Sequence, residues 1–145
     1  MRNDSILDIN SRLKLIFRNL SFLHPSLDYE YDCFTSPVGV SDKGVIPDSH
    51  MSASSTLQDP SRRYQPAFGR LLDDRGGGWC SRTSDGKDDW LQIYFGDIFT
   101  ICRVDTKGDK YGIGWVTAFK LSFSLDGITW RFYKYPNGTD MVRYF

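Results

Sequence analysis

The stretch that decides the fold is residues 115–130, WVTAFKLSFSLDGITW. Side chains in 116–124 alternate between two faces, a period of two that is typical of a β-strand. Asp126-Gly127 then favours a tight turn, because glycine accepts the positive φ that such turns require. Residues 129–133, TWRFY, follow as a returning strand, so the stretch predicts a β-hairpin. The more apolar face carries Thr117, Phe119, Leu121 and Phe123.

Two further short runs precede this hairpin. Trp90–Phe95 alternates and stops at Gly96-Asp97, and Phe99–Val104 forms the next run. Short strands separated by Gly, Pro, Asp and Ser favour a sandwich or barrel over a plan of alternating strands and helices. The 15% aromatic content also suits strands, since flat rings fill a pleated, half-buried surface.

Several short motifs occur in a fixed order around these strands. In sequence they are CFTSPVG at 33–39, IPDSHMSASS at 46–55, GWC at 78–80, WLQI at 90–93, TKG at 106–108, WVTAFKL at 115–121 and DGITW at 126–130. Together the motifs resemble a discoidin domain, the coagulation factor V/VIII type C module. The resemblance implies an all-β, galactose-binding-like sandwich or jelly-roll barrel. It also implies a non-enzymatic extracellular module that binds ligands with loops at one end.

The charge balance and the short motifs limit the classes of partner and activity that the sequence supports. Eighteen basic residues balance eighteen acidic ones, so no global field favours nucleic acid or a bulk electrostatic membrane tether, although a local patch stays open. The two histidines stand apart, and Gly-x-Ser-x-Gly and phosphate-loop motifs are lacking, so catalysis has little support. A glycosidase with two distant carboxylates is not excluded by one sequence.

Residues 1–32 differ from the rest and are expected to be a leader or linker before a discoidin domain at 33–145. Apolar residues at spacings of three and four predict a short amphipathic helix. We favour a loosely packed or non-native leader over a membrane or partner helix, because Lys14 and Arg18 are too few for lipid binding. The spaced apolar residues are Ile6, Ile9, Leu13, Ile16, Phe17 and Leu20.

The two ends of the chain suggest an incomplete copy of the module. The first residues do not read as a secretory signal, which alone would indicate a cytosolic protein, whereas the resemblance implies export. A discoidin domain normally continues past the region matching residues 137–140 with further strands and a closing cysteine. We therefore expect a C-terminally truncated domain from a fragment or incomplete gene model. Sequons at Asn3, Asn19 and Asn137 are compatible with export.

Three cysteines imply one pair and one orphan if the module is extracellular. The resemblance suggests a disulfide between Cys80 and Cys102, and it matches Cys33 to an opening cysteine whose partner is absent. Cys33 is therefore expected to be unpaired. A reducing compartment with three free thiols is the alternative. A zinc site is not expected, because the sequence has no Cys-x-x-Cys motif and no Cys/His cluster.

The resemblance also places three ligand loops, at 55–66, 73–79 and 107–115. Loops can expose aromatic and basic side chains that suit an anionic lipid surface or an acidic sugar. Trp79, Trp90, Trp115 and Trp130 are expected to bury their rings in the core. The candidate ligand residues are Leu57, Arg62, Arg63 and Tyr64 in the first loop, Arg75 in the second, and Lys110, Tyr111 and Ile113 in the third.

Beneath these loops, the resemblance makes Arg70 a structural arginine that pairs with an acid such as Asp48. No cofactor is expected. Five acidic residues offer oxygen ligands for calcium, but their spacing matches no EF-hand, so a solvated acidic turn is the favoured interpretation. They are Asp73, Asp74, Asp85, Asp88 and Asp89.

Three functional hypotheses remain at this point. The first is an adhesion or recognition module for a glycan, a matrix protein or a cell-surface receptor. The second is a module that binds phosphatidylserine membranes, for which Leu57 and Ile113 are modest apolar loop tips. The third is a truncated chain without independent activity.

Overall fold

The computed structural model describes residues 10–16, 39–82, 87–97, 99, 101 and 104–144. Within them, the strands form one six-stranded sheet with the order β2-β3-β1-β4-β5, and β6 pairs with β4. Two short 3-10 helices, Asp48–His50 and Pro66–Gly69, complete the regular structure of this part. The predicted all-β class of discoidin type is therefore confirmed. The strands are β1 Asn10–Ile16, β2 Met51–Ala53, β3 Lys87–Tyr94, β4 Ala118–Ser124, β5 Arg131–Phe132 and β6 Val142–Tyr144.

The N-terminal segment is the main correction to the predicted fold. Residues 10–16 form a strand rather than a helix, and this strand runs parallel to both neighbours, β3 and β4. Leu13 lies opposite Leu91 on one side and Leu121 on the other. Pairing on both sides uses backbone groups of β3 and β4 that would otherwise be unpaired, an advantage that no helix offers. Where the domain begins stays a prediction, because the proposed boundary at 32 and 33 lies outside the described residues.

Of the three strands predicted before the Asp126-Gly127 turn, two are confirmed and one is not. The runs that begin at Trp90 and Val116 correspond to β3 and β4, and Gly127 adopts φ +74° in the predicted turn. The run Phe99–Val104 was also expected to be a strand. Its described residues, 99, 101 and 104, lie outside any strand.

Irregular segments supply much of the core that covers the sheet. Ile46 and Met51 pack with Ile93 and Phe95 of the β3 region. Trp79 packs with Val116 and Phe119 at the start of β4. The residues that enter and leave the predicted loops are thus anchored in the core, which fixes where the loops begin and end.

Candidate functional site

The third predicted loop is a compact hairpin organised by Asp109. The amide of Asp109 donates to the carbonyl of Gly114 at 2.8 Å, and its Oδ1 accepts hydrogen bonds from the amides of Ile113 and Gly114. A carboxylate that accepts backbone amides in this way stabilises a tight turn locally. As a result, Lys110, Tyr111 and Ile113 project from the tip and are exposed.

The three predicted loops meet at one end of the sheet. Lys110 Nζ donates to the backbone carbonyl of Asp74 in the second loop at 2.6 Å. The ring of Tyr111 meets Tyr64 of the first loop edge to face, with centroids 6.4 Å apart. The guanidinium of Arg62 lies 6.0 Å from the centroid of Tyr111, within cation–π range.

Gly77 makes this approach possible. A Cβ at position 77 would lie 2.6 Å from ring carbons of both Tyr64 and Tyr111, closer than real Cβ atoms come. The second loop therefore needs glycine here for reasons of space. The triple glycine 76–78 belongs to the packing between the loops and not to a phosphate site.

A charged network underlies the loops, as predicted for Arg70 and Asp48. The buried Arg70 donates from Nη2 to Asp48 Oδ1 at 3.1 Å and to the carbonyl of Ile46 at 2.7 Å, and its Nη1 donates to the carbonyl of Val40. Arg75 donates to Asp48 Oδ2 and to Asp73 Oδ2, each at 2.5 Å. These contacts tie the second loop to the first 3-10 helix.

The same network shifts the ionisation of its members. Hydrogen bonds from Arg75, with a smaller contribution from Arg70, lower the pKa of Asp48 to about 2. Arg75 also lowers the pKa of Asp73, and the two carboxylates raise the pKa of Arg75 in turn. All the carboxylates concerned are therefore ionised at neutral pH.

Three predicted ligand residues contact other parts of the protein instead. Tyr64 is only 4% exposed because it packs under Tyr111 and against Cys80, so its predicted exposure is wrong. Arg75 is held by two carboxylates, which leaves it poorly placed to receive an anionic ligand. Leu57 is half-buried against the same Tyr64 cluster.

Two apolar residues at this end were missed. Trp115 was predicted to lie in the core, yet it is 60% exposed where the third loop ends. Leu72, one residue before the second loop, is 80% exposed. The sequence did contain a signal for Leu72. Two adjacent leucines, Leu71 and Leu72, precede the turn-like pair Asp73-Asp74, and adjacent residues at a turn do not both point into the core. We call the following set the loop rim: Arg62, Arg63, Leu72, Lys110, Tyr111, Ile113 and Trp115.

The other tryptophans behave differently. Trp79 is 2% exposed and its indole Nε1 donates to the carbonyl of Ser55 at 2.8 Å, as expected for a core tryptophan. Trp90 and Trp130 are half-buried. Trp79, at the base of the loops, therefore lies in the core, whereas Trp115, beside the loops, is exposed to solvent.

The predicted disulfide stays a prediction, because Cys33 and Cys102 lie outside the described residues. Cys80 is buried, with Sγ 3.4 Å from the carbonyl oxygen of Ser81. Among the proposed calcium ligands, Asp73 pairs with Arg75, and Asp89 Oδ1 accepts from the hydroxyls of Ser54 and Ser55. In the described ranges, no three His, Cys, Asp or Glu side chains are grouped as metal ligands.

Two cavities lie at the opposite end of β4 from the loop rim. The more polar one, about 340 Å³, includes His50, Tyr94 and Asp126 in its lining. Two of its polar groups already have partners, since the ring of His50 bonds to the carbonyl of Tyr94 and Asp126 Oδ1 accepts from the hydroxyl of Ser124 and two backbone amides. The second cavity, about 500 Å³, is lined by four aromatic residues together with Arg131 and Lys134.

Comparison with known families settles the relationship that the motifs indicated. The profile of the F5/8 type C domain matches residues 50–144, which include every strand after β1 and all three loops. The chain belongs to the F5/8 type C domain family. Its homologues lactadherin and neuropilin-2 are extracellular binding proteins. No solved structure matches the chain, and the described residues include no helix long and apolar enough to cross a membrane.

Curated proteins with F5/8 type C similarity include lactadherins and neuropilin-2. Mouse lactadherin is 33% identical over 107 residues, 69% of this chain and 22% of that protein. Bovine lactadherin is 30% identical over 121 residues, 79% of this chain and 28% of that protein. Human neuropilin-2 is 32% identical over 103 residues, 64% of this chain and 11% of that protein. The chain thus spans less than a third of the length of each of these relatives.

Proposed function

We propose that this F5/8 type C domain is an extracellular recognition module that binds anionic phospholipid membranes through the loop rim. The observation that carries the proposal is that Leu72, Ile113 and Trp115 are exposed at the end of the sheet where the three loops meet. Exposing three large apolar side chains to water is unfavourable unless they enter an apolar environment. A membrane interface is such an environment, and it accepts tryptophan especially well.

The charges around these side chains favour an anionic surface. Arg62 and Arg63 belong to the first loop, and Lys110 belongs to the third loop with Tyr111 and Ile113, while two acids of these loops already accept hydrogen bonds. Asp59 accepts from Ser61 and Arg62, and Asp109 accepts from its own loop. Near an anionic leaflet each basic residue adds about 1 kcal/mol of attraction. Apolar tips with adjacent cations therefore suit a phosphatidylserine surface better than a neutral one.

Sedimentation with vesicles tests the apolar part of the proposal. The chain is expected to sediment with phosphatidylcholine vesicles that contain phosphatidylserine and to stay in solution with pure phosphatidylcholine. The double variant Ile113→Ser, Trp115→Ser should bind at least about tenfold more weakly, because burial of one large apolar side chain contributes about 2 kcal/mol. The matched control is Leu125→Ser, Ile128→Ser, which alters two exposed apolar residues at the opposite end of β4 and should leave binding unchanged.

A second pair of variants tests the charges. Arg63→Ala with Lys110→Ala removes two positive charges at the loop rim, and Arg131→Ala with Lys134→Ala removes two near the far end of β4. We expect the first pair to weaken binding about 30-fold at low salt, by about 2 kcal/mol. The second pair should have little effect. Equal losses in both would mean that net charge, and not the loop rim, controls binding.

An acidic glycan is the second candidate, and a different observation favours it. Tyr111 is 41% exposed, and the guanidinium of Arg62 lies 6.0 Å from the centroid of its ring. An exposed aromatic face beside a guanidinium suits a sugar ring that bears an acid.

Immobilised heparin and sialylated glycans distinguish this candidate from the first. Glycan binding that is lost in Tyr111→Ala and kept in Ile113→Ser, Trp115→Ser would favour the glycan. Binding to a purified matrix protein or receptor would be measured with the same variants. A folded sample that binds none of these ligands would support the third hypothesis, a chain without independent activity.

A further inference from the structure

We propose that Asn137 is an acceptor for N-linked glycosylation, at a site on the hairpin between β5 and β6. Asn137-Gly138-Thr139 is a sequon without proline at its middle position, and all three residues are exposed. The proposal rests on the extracellular location proposed above. It is independent of which ligand the loop rim binds.

The local geometry is that of a poised acceptor. Asn137 Oδ1 accepts from the backbone amide of Thr139 at 3.0 Å and from its hydroxyl at 2.7 Å. Both hydrogen bonds withdraw electron density from the side-chain carboxamide, so a proton on its nitrogen is easier to remove. Within the described residues, Nδ2 of Asn137 donates no hydrogen bond, so nothing there competes for it.

The turn that holds this geometry is built from short-range contacts. The amide of Gly138 donates to the carbonyl of Tyr135, the amide of Tyr135 donates to the carbonyl of Thr139, and Gly138 takes φ +83°. All these partners lie within five residues of one another. The turn can therefore form in a nascent chain before the sheet has folded, when the secretory pathway attaches glycans.

The position of the turn leaves room for a large glycan. Phe132 of β5 pairs with Ser122, and Val142 of β6 pairs with Lys120. The chain therefore leaves the edge of the sheet after β5, forms a hairpin and returns to the same edge as β6. Its stem is held by the bridge between Lys134 and Asp140. β1 occupies the other side of β4, so the hairpin points off the edge of the sheet.

The transfer needs a lipid pyrophosphate-linked oligosaccharide and the glycosyltransferase of the secretory pathway. Asn137 Nδ2 forms a bond to the anomeric carbon of the first sugar. The bond from that carbon to the pyrophosphate oxygen breaks, and the lipid pyrophosphate leaves with the electron pair. The displaced amide proton passes to a base of the enzyme.

Peptide mapping tests the proposal directly. The chain is secreted from mammalian cells with an added signal sequence, which separates the acceptor quality of Asn137 from the natural location of the protein. Trypsin cleaves after Lys134 and Arg143, so Asn137 lies in a peptide of residues 135–143, apart from the sequons at Asn3 and Asn19. Glycosidase treatment in heavy-oxygen water converts a glycosylated Asn137 to labelled aspartate. Spontaneous deamidation of Asn137-Gly138 before the treatment leaves aspartate without the label.

We expect the labelled peptide from the secreted protein and from Thr139→Ser, and its loss in Asn137→Gln and Thr139→Ala. Melting curves check that each variant folds. Recovery of this peptide from folded, secreted protein only in its unlabelled form would overturn the proposal. Vesicle binding measured on the same sample would show whether the proposed membrane binding holds independently of glycosylation at Asn137.

Discussion

Arg70 Nη2 lies 3.1 Å from Asp48 Oδ1, and this ion pair joins the end of one 3-10 helix to the start of the other. The side chain of Arg70 is almost fully buried, whereas that of Asp48 is about two-fifths exposed. A buried guanidinium must keep its partners, because an unpaired charge away from water is costly. The pair is therefore a structural support beneath the loops and not part of the binding surface.

Arg70→Met should be strongly destabilising. The substitution leaves the carbonyls of Val40 and Ile46 without their donor and removes the anchor of the loops. We expect a loss of about 3 kcal/mol in the free energy of unfolding, measured with urea. Arg82→Met, at an exposed position, is the control and should change stability by less than about 0.5 kcal/mol. Similar small changes in both would mean that the Arg70 network is not a support.

Stability should fall in acid through Asp48. Its folded pKa of about 2 lies below the ordinary value of 3.8, so the ionised form is bound more tightly in the folded state. The contribution is complete above about pH 4 and is lost as the pH falls toward 2. Asp73, whose pKa is also lowered, acts in the same direction. Melting temperatures between pH 7 and pH 2.5 should decline less steeply for Asp48→Asn than for the wild type, and identical slopes would contradict this assignment.

Gly77→Ala should disturb the loops without unfolding the domain. The new methyl group collides with Tyr64 and Tyr111, so Tyr111 must move away from the first loop. We expect vesicle binding to fall at least about tenfold, for a loss of about 1–3 kcal/mol in stability from overpacking. Gly112→Ala is the matched control, since a Cβ there meets no atom within 4 Å and only the backbone, at φ +70°, is strained. If Gly77→Ala bound vesicles as strongly as the wild type, the position of Tyr111 against the first loop would not be required for binding.

Leu13→Pro tests whether the N-terminal strand belongs to the sheet. Proline at the centre of β1 removes a backbone donor between β3 and β4, so we expect a loss of about 3 kcal/mol or more. Lys14→Thr replaces a good helix former by a good strand former and should be tolerated. If residues 1–32 were a detached leader, neither substitution would alter the unfolding of the rest of the chain.

The local sequence predicted the parts of the fold that depend on local patterns. Alternation identified β3 and β4, and the resemblance placed Arg70 against Asp48. The predicted turn at Asp126-Gly127 is part of a longer connection, because Phe123 pairs with Arg131. The N-terminal segment misled because Leu13 and Leu15 alternate inside a wider pattern with helical spacing. Only the unpaired edges of distant strands decide between the two, and no local pattern contains that information.

The loop residues show the same limit. The resemblance placed the three loops and the sequence showed their basic and aromatic residues, but neither could rank which rings are exposed. Tyr64 and Trp115 exchanged their expected roles, because burial depends on whether another loop closes over a ring. Tyr111 closes over Tyr64, whereas no described residue covers Trp115 to the same degree.

The fluorescence of Trp115 measures the central claim most directly. Trp115 is exposed beside the tip of the third loop, whereas Trp79 is buried and cannot respond to the same extent. If the loop rim enters the membrane interface, vesicles containing phosphatidylserine should shift the emission to shorter wavelength, and brominated lipids should quench it. The response should vanish in Trp115→Phe and persist in Ile128→Ser. Wild-type emission that stays unshifted and unquenched while the protein is bound to such vesicles would contradict the account.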